Sequence, residues 1–150
     1  MTSPARVGRT AFLLGFAGLL PQAAAVALII ADRHGGYDLP YGFLYAYPSL
    51  ILSFLGGIWW GYAMRRDHGQ AVLAGLAVLP SLAPLAILPT AMVSWTWPLI
   101  LLGIALLLTL VVDAHLARTG EAPVNWMQLR LPLSVGLAGL TIVAGVLAAS

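Results

Sequence analysis

Cysteine is absent from this chain, and so is lysine. Without a thiol there is no disulfide, thiolate metal site, iron–sulfur cluster or cysteine nucleophile. Without an ε-amine there is no Schiff base, which excludes covalently held retinal or pyridoxal phosphate. Charge of either sign is scarce: charged residues are 8% of the chain, against roughly a quarter in soluble domains. The five acids never pair within one helix at a spacing suited to acid–base work. The sequences G-x-S-x-G, H-E-x-x-H, G-x-G-x-x-G and the phosphate-binding G-x-x-x-x-G-K-[ST] are also missing. No enzymatic activity and no cofactor are expected on these grounds. His34, His68 and His115 fall outside the apolar runs, and Asp113 and His115 are two residues apart, which turns their side chains to different sides of a helix. No metal or haem site is expected either.

What the chain has instead is apolar surface. Hydrophobic residues make up 61% of it, and the mean hydropathy is +0.94. A soluble domain of this size still exposes about 30% of the surface of its unfolded chain, too much for this composition to cover with polar groups. The solvent must be lipid. A spanning helix needs about 20 apolar residues, and five segments qualify, at residues 11–31, 41–64, 71–93, 97–114 and 131–149. The expected fold is all-α, a single-domain integral membrane five-helix bundle over residues 1–150. The third span carries Pro80, Pro84 and Pro89, each of which removes a backbone donor and favours a bend; a re-entrant loop is the alternative.

All seven basic residues are arginines. With the N-terminus inside, Arg6, Arg9, Arg65, Arg66, Arg118 and Arg130 lie on the inner side, and Arg33 alone lies outside. Short loops obey the positive-inside rule, so the N-terminus is expected to be cytoplasmic and the C-terminus periplasmic. Tyr37, Tyr41, Trp95 and Trp97 would mark the outer interface, and Trp126 and Trp59 the inner one. Asn125, followed by Gln128, is a candidate N-cap for the last span. The weak, dispersed positive charge does not suggest nucleic acid.

The second span holds the densest pattern. At about 100° per residue, Gly42, Tyr45, Ser49, Ser53, Gly56 and Trp60 share a narrow face, with Gly57 and Gly61 at its edge. Small residues at such spacing let helix backbones approach, so Gly56, Gly57 and Gly61 are candidate packing contacts. The same face is also a candidate ligand wall through Tyr45, Ser49, Ser53 and Trp60, opposite Gln22 of the first span. Gln22 sits at mid-membrane, where an unpaired amide costs several kcal/mol, and a bond to Ser49 or Ser53 would satisfy it. In the last span Gly136 and Gly139 form one small-residue face and Ser134, Thr141 and Gly145 another. Asp113 and Arg130 are expected as an ion pair at the inner end, with a proton-relay or ligand role for Asp113 as the alternative.

The run Tyr47–Gly61, YPSLILSFLGGIWWG, resembles the hallmark of a bacterial membrane family known only as domain of unknown function 3429, to which the eukaryotic transmembrane protein 69 is related. Asp113, Pro123, Trp126, Leu129, Arg130 and Leu133 are similarly spaced, and Gly18–Pro21 adds a weaker match. The resemblance implies a small five-helix protein of the bacterial inner membrane, with no activity, substrate or cofactor attached.

Two functions fit this pattern. One is a structural or accessory subunit that docks in a larger membrane complex, or on a second copy of itself, through the spare face of the last span. The other is a binding or transport protein for a small apolar ligand (a lipid, quinone or tetrapyrrole) in a cleft lined by the first two spans. The orientation is directly testable, because a chain without cysteine accepts single thiol labels cleanly. His68→Cys should resist a membrane-impermeant maleimide in intact cells and Tyr37→Cys should react; the opposite pattern would reverse the topology.

Overall fold

The computed structural model describes residues 6–31 and 41–149. Tyr37 and Arg33, assigned above to the outer side, and His34 lie outside the described residues. Among the described residues six α-helices form five candidate spans: α1 (Arg9–Ala17) with α2 (Leu20–Ala31), α3 (Tyr41–Ala63), α4 (Gln70–Ile87) extended by a 3-10 turn (Leu88–Met92), α5 (Thr96–Arg118) and α6 (Trp126–Leu147). Among the described residues there is no strand. Each span is 22 or 23 residues long and apolar enough to cross a membrane.

The first span is broken where a single helix was expected. Pro21 lacks the N–H that would bond to Ala17, and its ring crowds that carbonyl, so α1 ends there. The Gly18 N–H closes α1 on the carbonyls of Leu14 and Gly15, both at 3.0 Å, and α2 restarts at Leu20. The two halves then diverge in burial. α2 buries Gln22, Ala25 and Val26, whereas α1 buries none of its residues. The third span is one continuous helical element, Gln70–Met92, long and apolar enough to cross a membrane. Its α-helix runs through Pro80 and Pro84 and tightens to 3-10 geometry at Pro89.

Burial sorts the five spans. About 39–44% of the apolar stretch of α3, α5 and α6 is buried within the chain, against 17% for the first span and 22% for the third. The former are the inner helices and the latter the peripheral ones. α5 and α6 approach closely because each offers a glycine at the contact. A Cβ on Gly103 would stand 2.5 Å from Ile142 Cγ1, and one on Gly145 2.9 Å from the Thr96 carbonyl. Gly56 does the same for α3 against α4, since a Cβ there would collide with the Ala77 carbonyl. Gly57 and Gly61 have no atom within 4 Å of that position.

The buried face of α3 is Leu44, Pro48, Leu52, Leu55, Trp59 and Ala63, with Tyr45 and Gly56 at its edge. At 3.6 residues per turn this is roughly a quarter turn from the stripe of small and polar residues expected to pack. Trp60 lies on the exposed side, at 47%, and Trp59, expected at the interface, is buried at 3%.

One end of the bundle gathers the arginines. The Val7 N–H donates to Asn125 Oδ1 at 2.7 Å and Asn125 Nδ2 returns a bond to the Val7 carbonyl at 3.1 Å. Asn125 therefore ties down the chain before α1 and does not cap α6 with its side chain. α5 ends in a Schellman turn at Gly120 (φ 75°), with the Glu121 N–H on the Leu116 carbonyl at 3.0 Å and the Gly120 N–H on Ala117 at 3.3 Å. This presents Glu121 to Arg66, which grips it through Nε and Nη2, both at 2.6 Å.

The glycine contacts divide cleanly. Gly56→Leu should cost roughly 1–3 kcal/mol or more, because backbone cannot yield as a side chain does, while Gly57→Leu should stay within about 0.5 kcal/mol. Thermal unfolding of the two variants in detergent checks this, and equal losses would contradict the α3–α4 contact described.

Candidate functional site

Two arrangements at the arginine-rich half concentrate the polar chemistry. The first centres on Asp113. α5 extends to Arg118, so Asp113 lies inside the helix, more than a turn from its end, and is 1% exposed. Its carboxylate accepts three N–H bonds: Oδ1 from Trp59 Nε1 at 3.0 Å and Trp126 Nε1 at 3.3 Å, and Oδ2 from Arg130 Nε at 2.8 Å. Arg130 Nη2 reaches Thr109 Oγ1 at 3.5 Å, and its guanidinium carbon lies 6.0 Å from the centre of the Trp126 ring. Three helices thus meet on one carboxylate: α3 through Trp59, α5 through Asp113 and Thr109, and the start of α6 through Trp126 and Arg130. Thr109 and Asp113 are four residues apart, as helical spacing requires for one face. Trp59 was the partner that sequence reasoning did not supply, because its neighbour Trp60 shares its chemistry and only the packed orientation of α3 distinguishes them.

The second arrangement is a groove of about 460 Å³ between α1, α3 and α6, with Leu106 of α5 at its floor. It runs beside α1 on the N-terminal side of the break at Gly18, where α1 meets α6 through Gly15; a Cβ there would stand 2.9 Å from Leu133 Cδ1. Leu14, Gly15 and Leu19 form one wall and Ile51, Phe54, Leu55 and Ile58 another. Along α6 the lining runs from Trp126 to Leu137, about 16 Å at 1.5 Å per residue. The lining is apolar apart from Trp126, Arg130 and Ser134. Ser134 is 3% exposed, and its Oγ has no hydrogen-bond partner.

The residues singled out as a ligand wall do not converge on this groove. Gln22 is fully buried, and its Nε2 donates to the Leu44 carbonyl at 3.1 Å and to Thr141 Oγ1 at 3.3 Å, not to Ser49 or Ser53. The reason is Pro48, whose missing N–H frees the carbonyl four residues earlier, at Leu44. That arithmetic was available in the sequence. Tyr45 is buried, and its hydroxyl donates to the Pro84 carbonyl at 2.5 Å. Ser49 returns its hydroxyl to the Tyr45 carbonyl at 2.7 Å, Ser53 is half-buried, and Trp60 faces outward. On α6, Gly136 faces the Leu19 side chain, 3.1 Å from the site of a Cβ, and Gly139 meets no atom within 4 Å.

A separate polar recess of about 550 Å³ at the arginine-rich end is lined by Tyr62, Arg65, Arg66, Asp67, His68 and Glu121. The hydrogen bond from Arg66 holds the Glu121 carboxyl below its usual value, and the same bond raises Arg66. Among the described residues no three His, Asp or Glu side chains cluster as a metal site would require.

Removing one partner of a buried ion pair leaves the other uncompensated and typically costs about 3–5 kcal/mol. Asp113→Ala or Arg130→Gln should therefore lower the unfolding temperature sharply, whereas the joint Asp113→Leu, Arg130→Leu change should recover part of the loss. Single and double variants of equal stability to the native chain would show that the pair carries no structural weight.

The comparisons with known proteins follow from this geometry without adding a chemistry to it. No curated protein and no solved structure matches the chain. A family model described as a protein of unknown function, DUF3429, matches residues 7–147. That span takes in every helix and both polar arrangements, and the chain belongs to the DUF3429 family.

Proposed function

We propose that this membrane protein binds an apolar molecule of the bilayer in the groove between α1, α3 and α6. The observation that carries the reading is the groove itself: about 460 Å³ of space with apolar walls, its lining including Ser134, whose buried hydroxyl no protein group satisfies. Ligand sites are concave and mostly apolar, with a few placed polar groups, and in bundles they occur between helices. One wall is α1, which buries none of its own residues. This supports the ligand reading over docking as an accessory subunit. The docking reading rested on a spare face of the last span, and Leu19 already lies over Gly136 while α5 packs against Gly145.

The reading places the protein in the bacterial inner membrane with the arginine-rich end in the cytoplasm, supported by the arginine bias and the family. No catalytic role is assigned: the buried Asp113 is fully engaged by Trp59, Trp126 and Arg130. The groove then opens toward the inner leaflet.

A decylbenzene probe with a diazirine in its tail tests the binding. Adducts on Ile58 and Leu133 should saturate and be displaced by excess unlabelled decylbenzene, whereas adducts on outward residues such as Val111 should rise linearly with probe. Ile58→Trp and Ala11→Trp, which fill the groove from two sides, should each reduce the saturable labelling at least fivefold. Saturable labelling that is absent, or that survives both substitutions, would sink the proposal.

A further inference from the structure

The groove reading leaves open what distinguishes its occupant from ordinary lipid. Hydrocarbon gains nothing by hydrophobic transfer when it leaves a bilayer for an apolar groove, because the two environments are alike. Selectivity has to come from the polar contacts. Two side chains of α6 supply them, four residues and hence one turn apart on the same face: Arg130 and Ser134, both lining the groove.

Their hydrogen-bonding state points to the chemistry of the missing group. Ser134 Oγ is buried with no partner, an omission that costs about 1–3 kcal/mol in a folded protein. Membrane helices ordinarily relieve it by turning the hydroxyl back on the preceding turn, as Ser49 and Thr141 do here, each at 2.7 Å. Arg130 has five N–H groups to place. Nε bonds Asp113 and Nη2 reaches Thr109, and Nη1 has no acceptor among the described residues. Both side chains can therefore donate. Their charge is already balanced, because the Asp113 carboxylate lies 2.8 Å from the Arg130 guanidinium. A neutral acceptor meets donors there without a net field, whereas an anion would have to compete with Asp113 for the same guanidinium.

Resting on the groove reading, we propose that the occupant is an apolar-tailed molecule whose head carries neutral carbonyl oxygens, one held by the Ser134 hydroxyl and a second within reach of Arg130 one turn away. The tail lies along Leu14, Leu19, Ile51 and Leu137, toward the middle of the membrane. Two common membrane molecules present this chemistry: a quinone, with carbonyls across a ring, and a glycerolipid, with ester carbonyls.

Competition against the diazirine probe on the full chain in detergent separates the possibilities. Decyl-benzoquinone, dioctanoylglycerol and plain decylbenzene are each used to displace it. At least one carbonyl compound should displace the probe at a concentration about 3- to 10-fold lower than decylbenzene, and whichever does so identifies the source. Ser134→Ala, which keeps the shape of the site, should abolish that advantage and leave displacement by decylbenzene unchanged, and Ser134→Thr should retain it. Equal displacement by all three compounds, or an advantage that persists in Ser134→Ala, overturns the carbonyl assignment while the saturable labelling still stands. Loss of saturable labelling in the native chain overturns the groove reading and this inference together.

Discussion

Hydrocarbon neither donates nor accepts a hydrogen bond, so every polar group inside the membrane must find its partner within the chain. That requirement explains more of this structure than hydrophobic burial, which contributes little between helices already surrounded by lipid. Pro48 frees the Leu44 carbonyl, and Gln22 crosses from α2 to meet it and reaches on to Thr141 of α6. Pro21 breaks the first span, and the hydroxyl of Tyr47 is donated to Gly18 at the break. The Tyr45 hydroxyl donates to Pro84 where α4 begins to tighten. At these three places a turn next to a proline meets a side chain from another helix.

Asp113 is the same constraint at higher stakes. A lone carboxylate in a medium of low dielectric would be neutralised by protonation. Here it is surrounded by two indole N–H groups and a guanidinium drawn from α3 and α6. The cluster fixes the rotation of α3, since Trp59 must face inward to reach it, and that rotation carries Trp60 to the outside. The close glycine contacts at Gly56, Gly103 and Gly145 then set how near the helices stand once the polar bonds have set which faces meet.

Ser134 Oγ and Gln22 Oε1 are the buried side-chain polar atoms among the described residues that have no partner. Ser134 lines the groove between α1, α3 and α6, next to where Gly15 of α1 meets Leu129 and Leu133 of α6. The break at Gly18 and an unpaired hydroxyl thus both belong to the lining of one groove.

The sequence by itself determined the solvent, the number of apolar spans and the clustering of arginines at helix ends, because these depend on run length, composition and charge, which are local properties. It also contained the Asp113–Arg130 pairing, since two opposite charges near the ends of adjacent apolar helices have few other partners. Which face of α3 turns inward was not legible. In water an amphipathic stripe marks the core, but in lipid the inner and outer faces are both apolar, and Ser49, Ser53, Gly57 and Gly61 carried no decisive signal against Leu44, Leu52, Leu55 and Trp59. Only the tertiary structure decided that rotation, through bonds between residues as far apart as Trp59 and Asp113. It alone placed the groove, because an empty space belongs to several helices at once and is written in none of them.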